Sequence, residues 1–287
     1  MSSMIIGRLD LNEEKLRKDL ETVTNFPVLK EEYSEFGVGT WKNDTLCNEN
    51  GNFRDTQYRD YATPGMVTER GLLLPYIQEM IGANFHVNHL KMVRTRNLID
   101  GLIVPHKDFV ELNKPKNFYL RIFIPLEDNA NSYHSDESGV FRMRKGEIWI
   151  LDASIVHAAA NFSNESRIFL CLDFQFDEKT HPSSIFLDQR AYNEKIKPAM
   201  AKREPVRDIN KHLGRFYATI NEKNFKEITV DLAKLHFQYE VSVSDCYNWL
   251  ADIAQHNGKK ELVDKALALK EYMIENRRLG QRFPLEQ

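Results

Sequence analysis

The chain is poor in cysteine and has no long apolar run. Cys47, Cys171 and Cys246 are an odd number, widely separated, and no two are spaced for zinc binding or thiol exchange. That excludes a disulfide-built scaffold and fits a reducing compartment. Cys171 sits in a hydrophobic strand pattern, where a small buried thiol is the plain reading. No stretch approaches the roughly 20 apolar residues that cross a bilayer. The N-terminus lacks the basic segment and apolar run of a secretion signal, so the expected location is cytoplasmic, without a membrane partner. Asn43-Asp44-Thr45 and Asn161-Phe162-Ser163 therefore match glycosylation acceptors only by accident. An excess of one charge is also missing: 39 Lys and Arg against 42 Asp and Glu, interspersed, leave a net charge of -3. Nothing in that balance calls for nucleic acid. No internal period repeats, which excludes a solenoid.

What is present is enough for a substantial core. With 287 residues and 42% hydrophobic content, the length suits one large domain with an addition, or two modest ones. Leu11, Leu16, Leu20 and Val23 have helical spacing after the acidic start Asn12-Glu13-Glu14. Residues 26 to 65, rich in aromatics, Gly, Asn and Asp, read as short strands and long loops. Leu72 to Ile81 reads as a helix if Pro75 lies in its first turn. From about Phe85 to Phe176, strand patterns recur between Asp-Asn-Ala-Asn and Arg-Lys-Gly turns, a rhythm that suggests an antiparallel double-sheet jelly roll. Residues 188–207, basic and proline-bearing, look like a connector. From Asp208 on, stripes such as Phe216, Ile220, Phe225, Ile228, Leu232 and Leu235 predict about four helices, with Gly258 as a helix stop. The expected organisation is a mainly β jelly-roll unit over 1–187, the connector at 188–207, and a helical unit over 208–287.

The residues that carry chemistry lie in the strand region. Leu102-Ile103-Val104 runs through Pro105 into His106-Lys107-Asp108, so a histidine and an aspartate sit where a strand ends. Downstream, Gly146 to Asp152 reads as a turn and a buried strand leading to His157. Two imidazoles and one carboxylate can form the facial site of non-haem iron(II), leaving three positions open for a cosubstrate and dioxygen. His-x-Asp triplets are common by chance, so the context has to carry the reading. Ten residues after His157, Arg167 opens the apolar segment Ile168-Phe169-Leu170-Cys171-Leu172. A strand, turn and return would bring the arginine to the same cavity. A buried guanidinium needs an anion and matches a carboxylate with its planar fork; the far carboxylate of 2-oxoglutarate is its natural partner.

These residues belong to an ordered series: Arg94-Thr95-Arg96-Asn97-Leu98, Pro105-His106-Lys107-Asp108-Phe109-Val110-Glu111-Leu112, Tyr133-His134-Ser135-Asp136, Gly146-Glu147-Ile148-Trp149, Leu151-Asp152-Ala153, Val156-His157, Asn161-Phe162-Ser163 and Arg167. With Ile6-Gly7-Arg8, Glu31-Glu32-Tyr33 and Trp41-Lys42-Asn43 near the start, the series resembles the bacterial L-proline cis-3-hydroxylases, relatives of the aspartyl/asparaginyl beta-hydroxylases, over nearly the whole chain. The resemblance implies a double-stranded β-helix, cupin-like core with a C-terminal α-helical bundle. It implies iron(II) held by His106, Asp108 and His157, 2-oxoglutarate held by Arg167 and approached by His134, dioxygen, and ascorbate as reductant in vitro. The implied reaction is hydroxylation of an unactivated C-H bond of a free L-amino acid, foremost L-proline. One departure bears on substrate: where Phe-Arg-Thr-His is expected, the chain has Leu120-Arg121-Ile122-Phe123. Residues two apart on a strand share a face, so Arg121 and Phe123 point the same way. Free L-lysine and pipecolate therefore stay open as substrates.

Arg94, Arg96 and Arg121 are the candidates for a substrate carboxylate, and Asp60, Asp100 and Glu111 for its ammonium group. Against each stands an ordinary salt bridge. His86, His89, His212, His236 and His256 lack a carboxylate at ligand spacing and read as structural or surface residues. Two rival functions remain: a noncatalytic jelly-roll protein that binds a small acid, and an iron oxygenase acting on a protein side chain. A homo-oligomer is compatible with the composition.

Overall fold

The computed structural model describes residues 3–29, 36–108, 118–277 and 281–283. Glu111, with the rest of Phe109 to Leu112, and Glu31-Glu32-Tyr33 lie outside the described residues. The elements are β1 (Met4–Arg8), α1 (Glu13–Asn25), β2 (Gly37–Asn48), β3 (Met66–Val67), α2 (Glu69–Leu72), α3 (Pro75–Asn84), β4 (Leu90–His106), β5 (Tyr119–Pro125), β6 (Ser132–Asp136) and β7 (Gly139–Arg142). They continue with β8 (Glu147–Ile150), β9 (His157–Asn161), β10 (Ile168–Gln175), β11 (Ala199–Met200), α4 (Asn210–Tyr217), α5 (Phe225–Gln238), α6 (Asp245–Asn257) and α7 (Lys260–Lys270). A π-helical turn, Glu271–Glu275, follows α7.

The strands form one curled antiparallel sheet in the order β1-β8-β5-β10-β4-β9-β6-β7-β11, with β2 on the other edge of β4. The 17-residue strand β4 serves both layers of the jelly roll. Its first half, Leu90 to Asn97, pairs with β10, and its second, Gly101 to His106, pairs with β9. The corner falls at Asp100, which takes φ 43, and at Gly101. There β2 crosses so closely that a Cβ on Gly39 would lie 2.3 Å from the Asp100 carbonyl oxygen, so only glycine fits.

Alternation along the strands sorts the side chains into three apolar layers. Ile122, Ile124, Ile168, Leu170, Leu172 and Phe174 point outward from the first layer and bury Leu16, Val23, Ile77 and Ile81 of α1 and α3. Phe123, Trp149, Phe169 and Cys171 point inward against Phe141 and Met143 of the second layer. Leu102, Val104, Val140, Ala158 and Ala160, on the outer face of the second layer, share one core with Leu213, Phe225, Leu232, Leu250, Leu262 and Leu269 of the C-terminal helices. Burying side chains of this size contributes about 2–3 kcal/mol each relative to exposure, so the helical cover is integral to the sheet beneath it.

Local chemistry sets the element ends. Asn12 caps α1, its side chain accepting from the Lys15 N–H at 3.0 Å, with Glu13 and Glu14 at the positive end of the helix dipole. Pro75 is the first residue of α3, so the expected helix starts later than Leu72, which belongs to the short α2. Gly258 ends α6 at φ 79. Residues 26 to 65 depart from expectation: they hold the 12-residue β2 rather than only short strands. Its polar residues are buried because Lys42 donates to the Val23 carbonyl and Asp44 meets Arg70 beneath α1 and α2. Within 188–207, β11 adds to β7. All three cysteines are free and buried.

Candidate active site

β4 ends at His106 in register with the start of β9 at His157, so the two imidazoles face each other with ring centroids 4.3 Å apart. Asp108 follows two residues on, its backbone N–H tied to the Ala153 carbonyl at 2.7 Å. Ligand atoms of His106, Asp108 and His157 all lie within 4.8 Å of one another, the one such cluster among the described residues. Cis ligands on bonds of about 2.1 Å stand about 3 Å apart, and the 3.5 Å from His106 Nε2 to Asp108 Oδ1 is within reach of that.

The backbone fixes the tautomers. His106 Nδ1 is 2.9 Å from the Val104 carbonyl and His157 Nδ1 is 3.0 Å from that of Ile155. A carbonyl only accepts, so each Nδ1 carries the proton and each Nε2 keeps its lone pair for a metal. Burial, and then the neighbouring His106, push His157 down to about 4. Neutral imidazole is the form a cation needs. Burial alone would raise Asp108, but His106, His157 and Arg121 more than offset it and hold the carboxyl well below its usual range.

Behind Asp108 lies a buried ionic network. Arg121 donates from Nη1 to Asp108 Oδ2 at 2.9 Å and from Nε to Asp173 Oδ1 at 2.6 Å. Arg94 Nη2 meets Asp173 Oδ2 at 2.7 Å, and the Tyr119 hydroxyl donates to Asp173 as well. Burial would raise Asp173, yet Arg121, Arg94 and Tyr119 bring it down to about 2. Asp173 and Tyr119 escaped the sequence reading, since only the register Met92↔Asp173↔Arg121 across β4, β10 and β5 assembles them.

Two other guanidinium groups have no carboxylate partner among the described residues. Arg167 is buried, stacked 4.0 Å over the Phe169 ring, and its Nε is unsatisfied. Burial, and next the charge of Arg96, lower it to about 9. Arg96 lies over Phe123 and Trp41 at 5.4 and 5.9 Å, again with an unsatisfied Nε, and burial lowers its pKa too. His134 presents an unpartnered buried Nε2, 6.0 Å ring to ring from His157. Burial, His157 and Arg167 keep it well below the usual histidine range, hence neutral.

The remaining candidates lie elsewhere or are occupied. Tyr58 donates to Asp60 at 3.0 Å, and Asp100 is exposed at the β4 corner. His86 and His256 are exposed, His89 and His212 pack on Phe176 and Tyr239, and His236 Nδ1 faces the Val241 carbonyl.

Two histidines on adjacent strands of a jelly roll, with a carboxylate two residues beyond the first, make up a ligand set that suits non-haem iron(II). The chain is also similar to known hydroxylases. Residues 10–176 match the profile of the aspartyl/asparaginyl beta-hydroxylases, and residues 182–281 match that of the L-proline 3-hydroxylase C-terminal region. L-proline cis-3-hydroxylase 1 from a Streptomyces species is 37% identical over 287 residues, covering 99% of each chain. L-proline cis-3-hydroxylase 2, also from Streptomyces, is 38% identical with the same coverage. L-proline cis-4-hydroxylase from Rhizobium meliloti (strain 1021) is 30% identical, covering 98% of this chain and 99% of that one. The chain belongs to the aspartyl/asparaginyl beta-hydroxylase family, in the group that holds these L-proline hydroxylases. No helix among the described residues is long and apolar enough to cross a membrane.

Proposed function

We propose that the chain hydroxylates free L-proline, using iron(II), 2-oxoglutarate and dioxygen, and delivers the hydroxyl cis at ring C3. The observation that carries this is the convergence of His106, Asp108 and His157, together with the buried Arg167 and the half-buried Arg96, neither of which has a carboxylate partner among the described residues. Iron(II) held by the three side chains would supply dioxygen activation coupled to oxidative decarboxylation of 2-oxoglutarate to succinate, with one oxygen atom going to the substrate carbon.

The chain's own residues bind, orient and exclude. The β4–β9 register brings the His106 and His157 imidazoles together, and Arg121 occupies Asp108 Oδ2, which would leave Oδ1 to hold the iron. Arg167 is the anchor for the distal carboxylate of 2-oxoglutarate. Its desolvation raises the cost of leaving it empty and the gain on pairing it. Neutral His134 adds a hydrogen-bonding nitrogen on the same side. Arg96 is the best-supported partner for the substrate carboxylate, because Arg94 and Arg121 already meet Asp173. Asn43 faces Arg96 directly across β2 and β4, and its buried Oδ1 has no partner, which suits it to accept from the substrate ammonium.

Proline is favoured over lysine by the same inventory. The inward carboxylates Asp108 and Asp173 are both taken by arginines, so none is left on those strands for a terminal ammonium. Phe123, Phe169 and Trp149 offer an apolar wall to a pyrrolidine ring. Attack at C3 follows the names of the two relatives at 37% and 38% identity; C4 is the second reading, after the relative at 30%. Purified protein supplied with iron(II), ascorbate and 2-oxoglutarate should release succinate with proline. A panel of proline, pipecolate, lysine, ornithine, leucine and arginine with no coupled turnover would overturn the proposal.

A further inference from the structure

We propose that the C-terminal helices position the metal centre, with Tyr247 and Arg277 as positioning residues that fix the backbone carrying His106 and Asp108. This rests on the metal reading above. The register between β4 and β9 shifts between Ile103 and His106, so Pro105 falls out of the ladder and its carbonyl has no strand partner. The fully buried Tyr247 of α6 donates its hydroxyl to that carbonyl. The next peptide unit is held from the π-helical turn, where the Lys107 N–H donates to the Met273 carbonyl at 2.9 Å. Met273 lies in the last turn, two residues before the helix ends at Glu275, so its carbonyl can turn outward. The third unit is held by Arg277, which donates from Nη2 to the Lys107 carbonyl at 3.1 Å.

Thus three successive peptide units between Pro105 and Asp108 each bond to the C-terminal segment. The His106 ring is backed in the same way: Phe36 lies 5.1 Å from it, and Tyr272 and Arg277 lie on Phe36 at 6.1 and 4.8 Å. A two-residue spacing between His106 and Asp108 makes their relative placement depend on the backbone between them, with Arg121 holding only the Asp108 carboxylate. Restraint from α6 and the final turn is therefore restraint on how His106 and Asp108 would meet a metal.

The test is cobalt(II) affinity of full-length protein, measured by competition with a chelator, together with the visible absorption of the cobalt form and the thermal midpoint. Losing an outer contact to a metal ligand costs about 10- to 100-fold in metal affinity. Tyr247→Phe, which keeps the ring, should weaken cobalt at least about tenfold, change its absorption, and make more succinate than hydroxylated product. Tyr217→Phe, which loses a comparable hydroxyl bond to Asp252 within the helices, should bind cobalt as wild type does. Should Tyr247→Phe unfold, the half-buried Arg277→Gln decides by the same readouts. Cobalt affinity and absorption unchanged in the folded variants would overturn this inference alone. A wild-type protein that takes up no divalent metal would overturn the metal reading and this inference with it.

Discussion

Arg121 and Asp108 meet through a single hydrogen bond of 2.9 Å, from Nη1 to Oδ2, and that bond links the Asp108 carboxylate to a buried ionic network. The same guanidinium holds Asp173, so its fork bridges two carboxylates at fixed spacing. A lysine carries the charge but cannot span both sites. Arg121→Lys is expected to lower metal affinity about tenfold or more while leaving a folded protein, checked by metal titration beside a circular dichroism melt.

Arg167 should show function and stability in opposition. Its buried charge, with no carboxylate partner among the described residues, costs folding energy until an anion arrives. Arg167→Leu is therefore expected to keep or raise the unfolding midpoint of the ligand-free protein, by about 1–3 kcal/mol of stability. The same variant should need at least about 100-fold more 2-oxoglutarate for half-maximal succinate release. Unaltered dependence on the cosubstrate would remove Arg167 from the site.

Arg96 and Arg94 stand one turn of the pleat apart on β4 yet have different expected effects. Arg96→Met should raise the KM for proline about 10- to 100-fold with little change in 2-oxoglutarate binding, as measured by steady-state kinetics. Arg94→Met leaves Asp173 short of one buried partner and is expected to cost about 3–5 kcal/mol of stability, read from urea unfolding.

The metal-free protein should lose stability on mild acidification. His157 and His236 are both held near 4 by burial, against about 6.5 in the unfolded chain. Between those values the unfolded chain binds the extra protons, so stability is full above pH 6.5 and falls as the pH drops toward 4. Each histidine contributes of order 3 kcal/mol to that fall. His134 is also held well below its usual range by burial, so His236→Asn should flatten about a third of the slope in unfolding free energy against pH.

Much of the site can be read from the order of residues alone. A strand running through Pro105 into His106 and Asp108, and a second strand beginning at His157, put the three candidate side chains at strand ends, and the β4–β9 register then brings them together. The double-sheet core, the helical tail and the stop at Gly258 follow from periodicity and turn chemistry in the same way. What escapes is pairing across register. Asp173 looks like one polar residue in an apolar strand until β10 aligns it with Arg121 on one side and Met92 on the other. Tyr247 lies 142 positions from Pro105 and reads as helix packing. The length of β2 was hidden because Lys42 and Asp44 are polar residues buried with partners from α1 and α2, which breaks the usual alternation. Arg94, Arg96 and Arg121 look equivalent in sequence and are separated only by which of them Asp173 reaches.

The most direct measurement follows the oxygen atoms. Wild-type protein, iron(II), 2-oxoglutarate and L-proline are incubated under heavy-oxygen gas, and the products are resolved by NMR and mass spectrometry. The expected result is cis-3-hydroxyproline with one heavy oxygen, an equal amount of singly labelled succinate, and neither product from His106→Ala or Asp108→Ala. Turnover that persists in those two variants, or hydroxyproline without heavy oxygen, would contradict a ferrous site built from His106, Asp108 and His157.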